Sequence, residues 1–334
     1  MSTLEKNDQL DELLQSLAQV SQEMARVIVG QHEVVEQLQI ALLAGGHCLL
    51  EGVPGLAKTL MVQTLARCLD LDFTRIQFTP DLMPADLIGT EILRRGEDGS
   101  ARFEYQPGPV FTQVLLADEI NRTPPKTQAA LLEAMAERSV SFAGTTRLLP
   151  APFFVLATQN PLEQAGTYPL PEAQLDRFLL LVNVDYPSFD EERQILDATT
   201  GSRGEEPRAL LSAEQVLSLQ ALTREVVVSD ALMDYAARLV RATRPEQSTI
   251  DAVTQYLRFG AGPRAGQALI LTAKARALMS GRYAVTEADL AANALPVLRH
   301  RLLLNFHAQA DAMTADGVID AVLQAVPKPV SPLD

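Results

Sequence analysis

The sequence predicts an α/β fold in which a parallel five-stranded sheet lies between helices, followed by a small all-α domain. Short apolar runs, bounded by turn residues, alternate with helix-like segments, which is typical of a parallel sheet covered on both faces. In the last part of the chain the apolar spacing becomes helical throughout. The predicted strands are 47–50, 73–78, 114–117, 153–157 and 178–184, and the later helices include 231–242, 266–280 and 287–304.

Helical spacing and turn residues divide the chain into predicted parts. Apolar residues recur at helical spacing from Leu10 to Met24, which predicts an amphipathic helix, and a second helix is expected at about 31–44. Prolines, glycines and charges mark a linker, and the tail after about 314 is expected to be loosely ordered. The predicted parts are an N-terminal helix at 1–28, an α/β core at 29–186, a linker at 187–208 and an all-helical lid domain at 209–334.

Two pairs of strand-like arms interrupt the α/β alternation inside the predicted core. Each pair flanks a glycine-bearing connector, at 96–100 and at Gly144, and this arrangement predicts β-hairpins. The inserted regions are expected at about 79–110 and about 139–149. The predicted arms are 91–95 with 101–105, and 139–143 with 146–149.

Charge and cysteine content argue against several classes of protein. With 28 Lys and Arg against 42 Asp and Glu, the formal charge is −14, so most of the surface would repel a phosphate-rich polymer. Nucleic acid is therefore not the expected partner. Cys48 and Cys68 lack CxxC spacing and neighbouring histidines, which gives no sign of a disulfide framework or a zinc site. No apolar run approaches the length of a bilayer span, so we expect no membrane insertion and a cytoplasmic location.

A glycine-bearing loop follows the first predicted strand and opens an apolar helix. Such a loop aims backbone N–H groups and a helix N-terminus at an anion, so we expect it to bind nucleotide phosphates; a structural turn is the alternative. Lys58 is expected to reach the β and γ phosphates, and the Thr59 hydroxyl to ligate Mg²⁺. The general pattern has glycine where this chain has Ala57. The residues expected to bind nucleotide are Gly52, Val53, Pro54, Gly55, Leu56, Ala57, Lys58, Thr59 and Leu60.

Polar side chains end two further predicted strands. Asp118 and Glu119 follow the third apolar run, and Asn160 follows the fourth. Ligands of such sheets bind at the carboxyl ends of the strands. We expect Asp118 to hold the Mg²⁺ shell and Glu119 to orient and polarise an attacking water. Asn160 is expected to hydrogen-bond the γ-phosphate or that water. Solvated carboxylates and a turn-forming asparagine are the alternatives.

These motifs together resemble the AAA+ ATPases, and among them the MoxR family. The resemblance spans about 29–304, and Ala57 is itself similar to that family's form of the loop. It implies a P-loop NTPase core with a helical lid, and ATP and Mg²⁺ as cofactors. The specific matches are GVPGLAKT at 52–59, DEINRTPPKTQ at 118–128, ATQNP at 157–161 and LPEAQLDRF at 170–178.

The resemblance also implies roles for single residues and for the hairpins. Asn160 matches the sensor 1 residue and Arg177 the arginine finger, while Arg264 matches the sensor 2 residue that contacts nucleotide from the lid. Gly30 and Gln31 resemble the segment that borders the adenine. The first hairpin resembles an insert in helix 2, and the second resembles the pre-sensor 1 hairpin.

A physical argument for Arg177 stands beside the resemblance. A guanidinium neutralises charge that spreads over the transferred phosphoryl group, and in a ring the neighbouring subunit can supply it. A surface ion pair between Arg177 and Asp176 is the alternative. Arg122 and Lys126 are weaker candidates for the same interface.

The resemblance implies a homo-hexameric, Mg²⁺-dependent ATPase that remodels or matures a partner protein, with a von Willebrand factor A domain protein as partner. The client protein is not identified by the sequence. One alternative is a magnesium-chelatase-like motor subunit with a porphyrin substrate. Another is a nucleic-acid translocase of the helicase branch, which would use arginines on the hairpins. A further alternative is a nucleotide-gated scaffold with little turnover, against which Glu119 argues.

Overall fold

The first part of the chain contains the large sheet and the helices around it. This computed structural model describes residues 3–95, 101–161, 166–201 and 206–329, with side chains from residue 12 onward. The elements are α1 (Thr3–Ala25), α2 (His32–Leu43), β1 (Cys48–Glu51), α3 (Lys58–Cys68), β2 (Phe73–Gln77), α4 (Pro84–Ile88), β3 (Gly89–Arg95), β4 (Ala101–Pro107), β5 (Val114–Asp118), α5 (Pro125–Glu137), β6 (Ser139–Phe142), β7 (Thr145–Leu148), β8 (Phe154–Gln159), α6 (Glu172–Leu175) and β9 (Leu180–Asn183).

Five parallel strands form the sheet in the order β2-β5-β8-β1-β9. Each predicted apolar run overlaps one of these strands, so the predicted parallel five-stranded sheet is confirmed. In the register, Glu51 lies beside Gln159 and Asn183, and Gln77 lies beside Asp118. The carboxyl ends of all five strands therefore meet at one edge, where the glycine-bearing loop leaves β1.

Successive residues of β1 show how the sheet divides the core into two layers. Cys48 and Leu50 pack with α1, α2, α3 and the helices of the second domain, whereas Leu49 packs on the other face with α5. This alternation follows from the two-residue period of a strand. Each is fully buried, and burying a leucine side chain contributes about 1.5–3 kcal/mol. The apolar run is thus explained by burial on both faces.

The arms of both predicted hairpins are antiparallel strand pairs. In the first hairpin β3 pairs with β4, with Leu93 opposite Phe103, and the connector 96–100 lies outside the described residues. In the second, β6 pairs with β7. The hairpins touch one another, because the Tyr105 ring lies 5.6 Å from the Phe142 ring and the Arg147 guanidinium lies 3.8 Å from the Tyr105 centroid.

The second part of the chain contains mainly helices, packed against α2 and β9. Between α12 and β11, the residues Arg299–Arg301 form a 3₁₀ turn, which we call the lid turn. No helix among the described ranges is both long and apolar enough for a membrane span. The elements are α7 (Phe189–Thr200), α8 (Ala213–Glu225), α9 (Asp230–Ala242), α10 (Asp251–Tyr256), β10 (Leu257–Phe259), α11 (Pro263–Met279), α12 (Glu287–Leu298), β11 (Leu303–Leu304), α13 (Phe306–Ala310) and α14 (Ala315–Ala325).

Three details of the second part differ from the predictions. The stretch predicted as a linker contains α7, which begins at a capping box formed by Ser188 and Glu191. The lid is not all-helical, because β10 pairs with β11, with Leu257 opposite Leu304. The helix predicted at 287–304 therefore ends early, at Leu298.

The tail is also more ordered than predicted. Thr314 caps α14 by accepting a hydrogen bond from the Gly317 N–H at 3.1 Å. The helix buries Val318, Ile319 and Val322, so this part of the predicted loose tail belongs to the lid core.

Candidate active site

Glycine is required where the loop after β1 approaches the end of β9. A Cβ atom at Gly52 would lie 2.6 Å from the carbonyl oxygen of Val184. Gly55 and Ala57 have φ angles of 89° and 56°, in the region that glycine adopts freely and alanine adopts at about 1–2 kcal/mol. Ala57 is the N-cap of α3, so the unpaired N–H groups of that helix face the loop and suit an anion.

Lys58 begins α3 and faces the acidic end of β5. Its Nζ donates to the carbonyl oxygen of Gly52 at 2.5 Å. Burial lowers the pKa of Lys58, and the carboxylates of Asp118, Glu119 and Glu51 oppose that shift. The structure therefore brings the predicted lysine and the predicted acidic pair together at one edge of the sheet.

Asp118 ends β5 and has both carboxylate oxygens engaged. Thr158 Oγ1 donates to Oδ1 at 2.6 Å. Arg75 donates to Oδ2 from Nη2 at 2.5 Å and from Nε at 3.1 Å. Hydrogen bonds to an ionised carboxylate are among the stronger kind, so these contacts hold the side chain in one orientation.

Glu119 follows Asp118 in a left-handed conformation, with φ 57°. Its N–H donates to Thr158 Oγ1 at 2.8 Å. Its Oε2 accepts from Gln77 Nε2 at 2.5 Å and from Arg122 Nη1 at 3.0 Å. Two side chains thus hold the carboxylate that was predicted to polarise water.

Arg75 and Gln77 were not among the predicted site residues. They are alternate residues of β2 and so point to the same face, and β2 pairs directly with β5. Their long polar side chains, in a predicted strand that also contains Phe73, Ile76 and Phe78, were the signal that could have identified them.

Asn160 lies at the same edge, directly after β8. It is buried, with 6% of its surface exposed, and β8 lies between β5 and β1 in the sheet. The Gly52 N–H donates to the carbonyl oxygen of Gln159 at 3.5 Å. Asn160 is therefore placed between the acidic pair and the phosphate loop, as the predicted role requires.

Thr59 and Asp118 supply oxygen donors for a cation beside the loop. Mg²⁺ prefers oxygen ligands and is usually held by one or two side chains together with substrate phosphates. Within the described ranges, no three His, Cys, Asp or Glu side chains form a metal-binding group. These residues fit a Mg²⁺ ion that arrives with a nucleotide, and they do not form a metal site without one.

A second part of the site is a cavity of about 130 Å³ between the phosphate loop, α3, the residues before α2, and α7. Gln31 lines it and is held in place, since its Nε2 donates to the carbonyl oxygen of Asp185 at 2.8 Å. The lining side chains are mostly apolar, which suits a flat base. The cavity is lined by Val27, Ile28, Val29, Gln31, Gly55, Leu56, Ala57, Leu60, Pro187, Ile195, Ala198 and Thr199.

The predicted base-binding segment accounts for only part of this cavity, because Gln31 lines it and Gly30 does not. Gly30 has φ 65°, and a Cβ atom there would lie 2.2 Å from the Glu191 carboxylate, so glycine permits α7 to come close. Ile195 and Thr199 of α7 complete the lining. Neither residue was predicted to bind nucleotide, because this stretch has the prolines and glycines of a linker, although the Ser188-x-x-Glu191 capping box was readable in the sequence.

A basic cavity of about 320 Å³ lies at the opposite edge of the sheet, before the strands begin. Its lining includes Gly46 and His47, which precede β1, and Phe178, which precedes β9. Arg177 and Arg264 both line this cavity, together with Arg138, Arg224 and Arg301. The structure thus brings the predicted arginine finger and the predicted sensor 2 arginine to one place, away from the phosphate loop.

Arg264, predicted to contact nucleotide from the lid, lies away from the phosphate loop of its own chain. The length of β1 separates the basic cavity from that loop, and four residues at roughly 3.3 Å each span about 13 Å. Arg264 instead approaches Asp176, with Nη1 at 3.8 Å from Oδ2.

The weaker candidates also receive definite positions. Asp176 pairs with Arg301 at 2.8 Å. Arg177 instead donates to the carbonyl oxygen of Leu132 at 2.7 Å. The alternative prediction, an ion pair between Arg177 and Asp176, is therefore wrong. Arg122 pairs with Glu119 of its own chain. Lys126 is exposed at the start of α5.

Two family models match the chain. The model described as "ATPase family associated with various cellular activities (AAA)" matches residues 47–180, which contain the phosphate loop and the acidic pair. The model of the AAA lid domain matches residues 250–322.

Curated proteins and a solved structure are similar over most of their length. Chaperone MoxR1 of Mycobacterium tuberculosis is 49% identical over 92% of this chain and 81% of its own length. The MoxR protein of Paracoccus denitrificans is 34% identical, covering 91% of this chain and 94% of that protein. The crystal structure of a candidate ATPase from Cytophaga hutchinsonii is 41% identical, with a TM-score of 0.89 over 97% of this chain and 98% of that chain.

Proposed function

Because the chain belongs to the MoxR family of AAA+ ATPases, we propose that it hydrolyses ATP in the presence of Mg²⁺ and uses that energy to remodel a partner protein. The observation that carries the proposal is the convergence of Lys58 with Asp118 and Glu119 at one sheet edge. A half-buried lysine, an anion-binding helix terminus and two carboxylates are the groups that phosphoryl transfer requires.

The roles of the residues follow from their positions. Lys58 and the N–H groups of α3 bind the β and γ phosphates. Thr59 and Asp118 hold Mg²⁺, which neutralises charge on the phosphates. Glu119 orients a water molecule and accepts its proton.

Further residues complete the nucleotide site. Asn160 donates its amide to the γ-phosphate or the water. The base occupies the cavity between Gln31 and α7, where the apolar lining excludes water from its faces.

The site is completed by a neighbouring copy of the same chain. Arg177 and Arg264 line a basic cavity at the edge opposite the phosphate loop, so a head-to-tail contact presents them to the nucleotide of the next subunit. Head-to-tail contacts of one type form a ring when the rotation between subunits closes, and we propose a homo-hexamer. An arginine supplied in this way accelerates phosphoryl transfer by about 10³–10⁵-fold.

The remodelling role is supported by a relative that is named a chaperone and by the two hairpins. ATP turnover is expected to rotate the lid against the α/β core and to move the hairpins, which contact each other through Tyr105 and Arg147. A von Willebrand factor A domain protein is the proposed partner.

Two variants test the ATPase assignment. Lys58→Ala is expected to abolish ATP binding in calorimetry, because the charge that meets the phosphates is lost. Glu119→Gln is expected to bind ATP and turn it over at least 10²-fold more slowly, in keeping with the usual worth of a general base. Glu104→Gln, an exposed carboxylate on the first hairpin, is the matched control and is expected to keep the parent rate.

The contradicting results are specific. Turnover at the parent rate by Glu119→Gln would remove Glu119 from the mechanism. Failure of the parent protein to take up ATP would overturn the ATPase proposal as a whole.

The shared site has its own test. Arg177→Ala and Glu119→Gln proteins are each expected to be inactive, whereas a mixture regains turnover. The reason is that Glu119→Gln subunits still offer Arg177 to the intact carboxylate of their neighbours. No regain at any mixing ratio would contradict a finger that acts between subunits.

A further inference from the structure

The lid turn lies against the short core segment that carries Arg177. Arg301 Nε donates to Asp176 Oδ1 at 2.8 Å, and its Nη2 donates to the carbonyl oxygen of Phe178 at 2.7 Å. Its Nη1 donates to the carbonyl oxygen of Leu179 at 3.1 Å. One guanidinium from the lid thus binds the residues immediately before and after Arg177.

Arg301 is buried and joins the lid to the core through hydrogen bonds. Its side chain is 4% exposed, and its Nη1 also donates to the carbonyl oxygen of Val297 in α12. Burial lowers the pKa of Arg301, and the Asp176 carboxylate opposes that shift. The rigid planar fork of a guanidinium holds several acceptors in fixed directions, so the lid and this core segment move together.

A second residue of the lid turn acts on the same segment. His300 Nε2 lies 3.1 Å from the carbonyl oxygen of Phe178, and the ring is buried. Two consecutive lid residues therefore converge on one carbonyl of the core. Arg299, the third residue of the turn, instead pairs with Asp316 of the lid at 2.8 Å.

Arg177 itself is held more loosely than its neighbours in the chain. Its side chain is exposed at the rim of the basic cavity and donates to the carbonyl oxygen of Leu132 at 2.7 Å. The direction of this exposed guanidinium therefore depends on the backbone between Asp176 and Phe178, which Arg301 holds.

We propose that Arg301 is a positioning residue that aligns Arg177 for the nucleotide of the neighbouring subunit, so that the lid of one subunit controls hydrolysis in the next. This inference rests on the proposed function, in which Arg177 acts between subunits. A displacement of a catalytic group by 1 Å can reduce a rate by about 10²-fold. A lid movement that shifts Arg301 thus changes the rate of hydrolysis in the neighbouring subunit and leaves the phosphate loop of its own subunit unaltered.

The test uses full-length Arg301→Gln protein, alone and mixed with Glu119→Gln protein. Alone, it is expected to turn over ATP about 10- to 100-fold more slowly. Its affinity for ATP in calorimetry is expected to be unchanged, because its own phosphate loop is intact. The mixture is expected to regain turnover, since Glu119→Gln subunits supply a correctly held Arg177 to the Arg301→Gln sites.

Controls separate positioning from general damage to the lid. Arg282→Met breaks the lid ion pair with Asp289, at 2.7 Å, without touching the Arg177 segment, and is expected to keep nearly parental turnover. Arg301→Lys keeps the charge and is expected to recover part of the rate. Asp176→Asn, at a side chain that is 29% exposed, tests the same contact should Arg301→Gln fail to fold, and is expected to show a smaller fall of the same kind.

The outcomes distinguish the two proposals. If Arg177→Ala regains turnover on mixing with Glu119→Gln but Arg301→Gln does not, the positioning role is wrong and the shared site stands. If neither regains turnover, both are wrong. If Arg282→Met lost as much ATP turnover as Arg301→Gln, the inference would also be wrong, because any damage to the lid would then slow turnover.

Discussion

Arg75 donates two hydrogen bonds to Oδ2 of Asp118, from Nη2 at 2.5 Å and from Nε at 3.1 Å. A positive charge from β2 thus lies against the carboxylate that is proposed to hold Mg²⁺. Like charges repel when they share a partner, so the guanidinium and the cation compete for Asp118.

Arg75→Met is therefore expected to tighten Mg²⁺ binding in the presence of ATP. Arg75 is about half exposed, so solvent screens its charge, and we expect roughly a fivefold change, or about 1 kcal/mol. The measurement is a Mg²⁺ titration of ATP binding with Glu119→Gln as the background, which prevents turnover. Arg94→Met, which breaks an exposed pair with Glu104 on the first hairpin, is the control. Weaker Mg²⁺ binding would mean that Arg75 orients Asp118 and does not compete for it.

Gly52→Ala is expected to abolish ATP binding and to lower thermal stability. A Cβ atom there would meet the backbone carbonyl of Val184 at 2.6 Å, so the loop or the end of β9 must move. Gly266→Ala provides the contrast within α11, because its Cβ atom would lie 3.8 Å from a Val240 methyl group and alanine favours a helix by about 0.5–1 kcal/mol. ATP binding by Gly52→Ala with parental affinity would show that the loop tolerates the shift.

Ile195→Ala is expected to weaken ATP binding by about 5- to 10-fold, because the side chain lines the proposed base cavity and its loss removes apolar contact worth about 1–1.5 kcal/mol. Leu196 is the next residue of α7 and is 58% exposed, so Leu196→Ala is expected to leave the affinity unchanged. Calorimetry with ATP and with free triphosphate separates the base from the phosphates. Equal ATP affinities for the two variants would exclude α7 from the site.

Stability is expected to fall as the pH drops from about 6.5 towards 4, because of His47. Burial lowers the pKa of His47 to about 4. The Val155 N–H donates to its Nδ1 at 3.1 Å, and Nε2 lies 3.2 Å from the carbonyl oxygen of Met135, so the ring is satisfied only when neutral. The unfolded chain takes up a proton below about 6.5 and the folded chain does not.

The stability that the neutral His47 ring contributes is therefore fully present above the unfolded pKa. It is lost as the pH falls from about 6.5 to about 4, by about 3 kcal/mol at most. Urea unfolding at pH 7, 6 and 5 gives the slope of the free energy of unfolding against pH. His47→Leu is expected to flatten it, whereas replacing the exposed His32 by leucine is expected to leave it unchanged. A slope that His47→Leu leaves intact would assign the pH dependence to other groups, such as His300, whose pKa burial also lowers.

Local patterns predicted the sheet and the phosphate-side residues because their signals are short. An apolar run precedes each of the loop from Gly52 to Thr59, the acidic pair and Asn160. Parallel pairing brings the ends of these strands to one edge of the sheet, and this does not depend on how the second domain folds. The hairpin arms were readable for the same reason, since they are adjacent in sequence.

Two of the remaining differences came from contacts between distant parts of the chain. Arg75 and Gln77 reach the acidic pair only because β2 pairs with β5. The strands β10 and β11 are three and two residues long and exist through mutual pairing, which no local apolar pattern reports.

By itself, the sequence determined that a lysine-bearing loop, two carboxylates and an amide follow neighbouring strands, because strand ends and helix starts are encoded by nearby residues. Only the tertiary structure decided that Arg264 lies beside Arg177 and far from the loop, and that Arg301 holds the segment between Asp176 and Phe178. The direction in which a lid docks depends on burial and hydrogen bonds between residues more than a hundred positions apart. Such pairings have no signature in the local pattern of either segment.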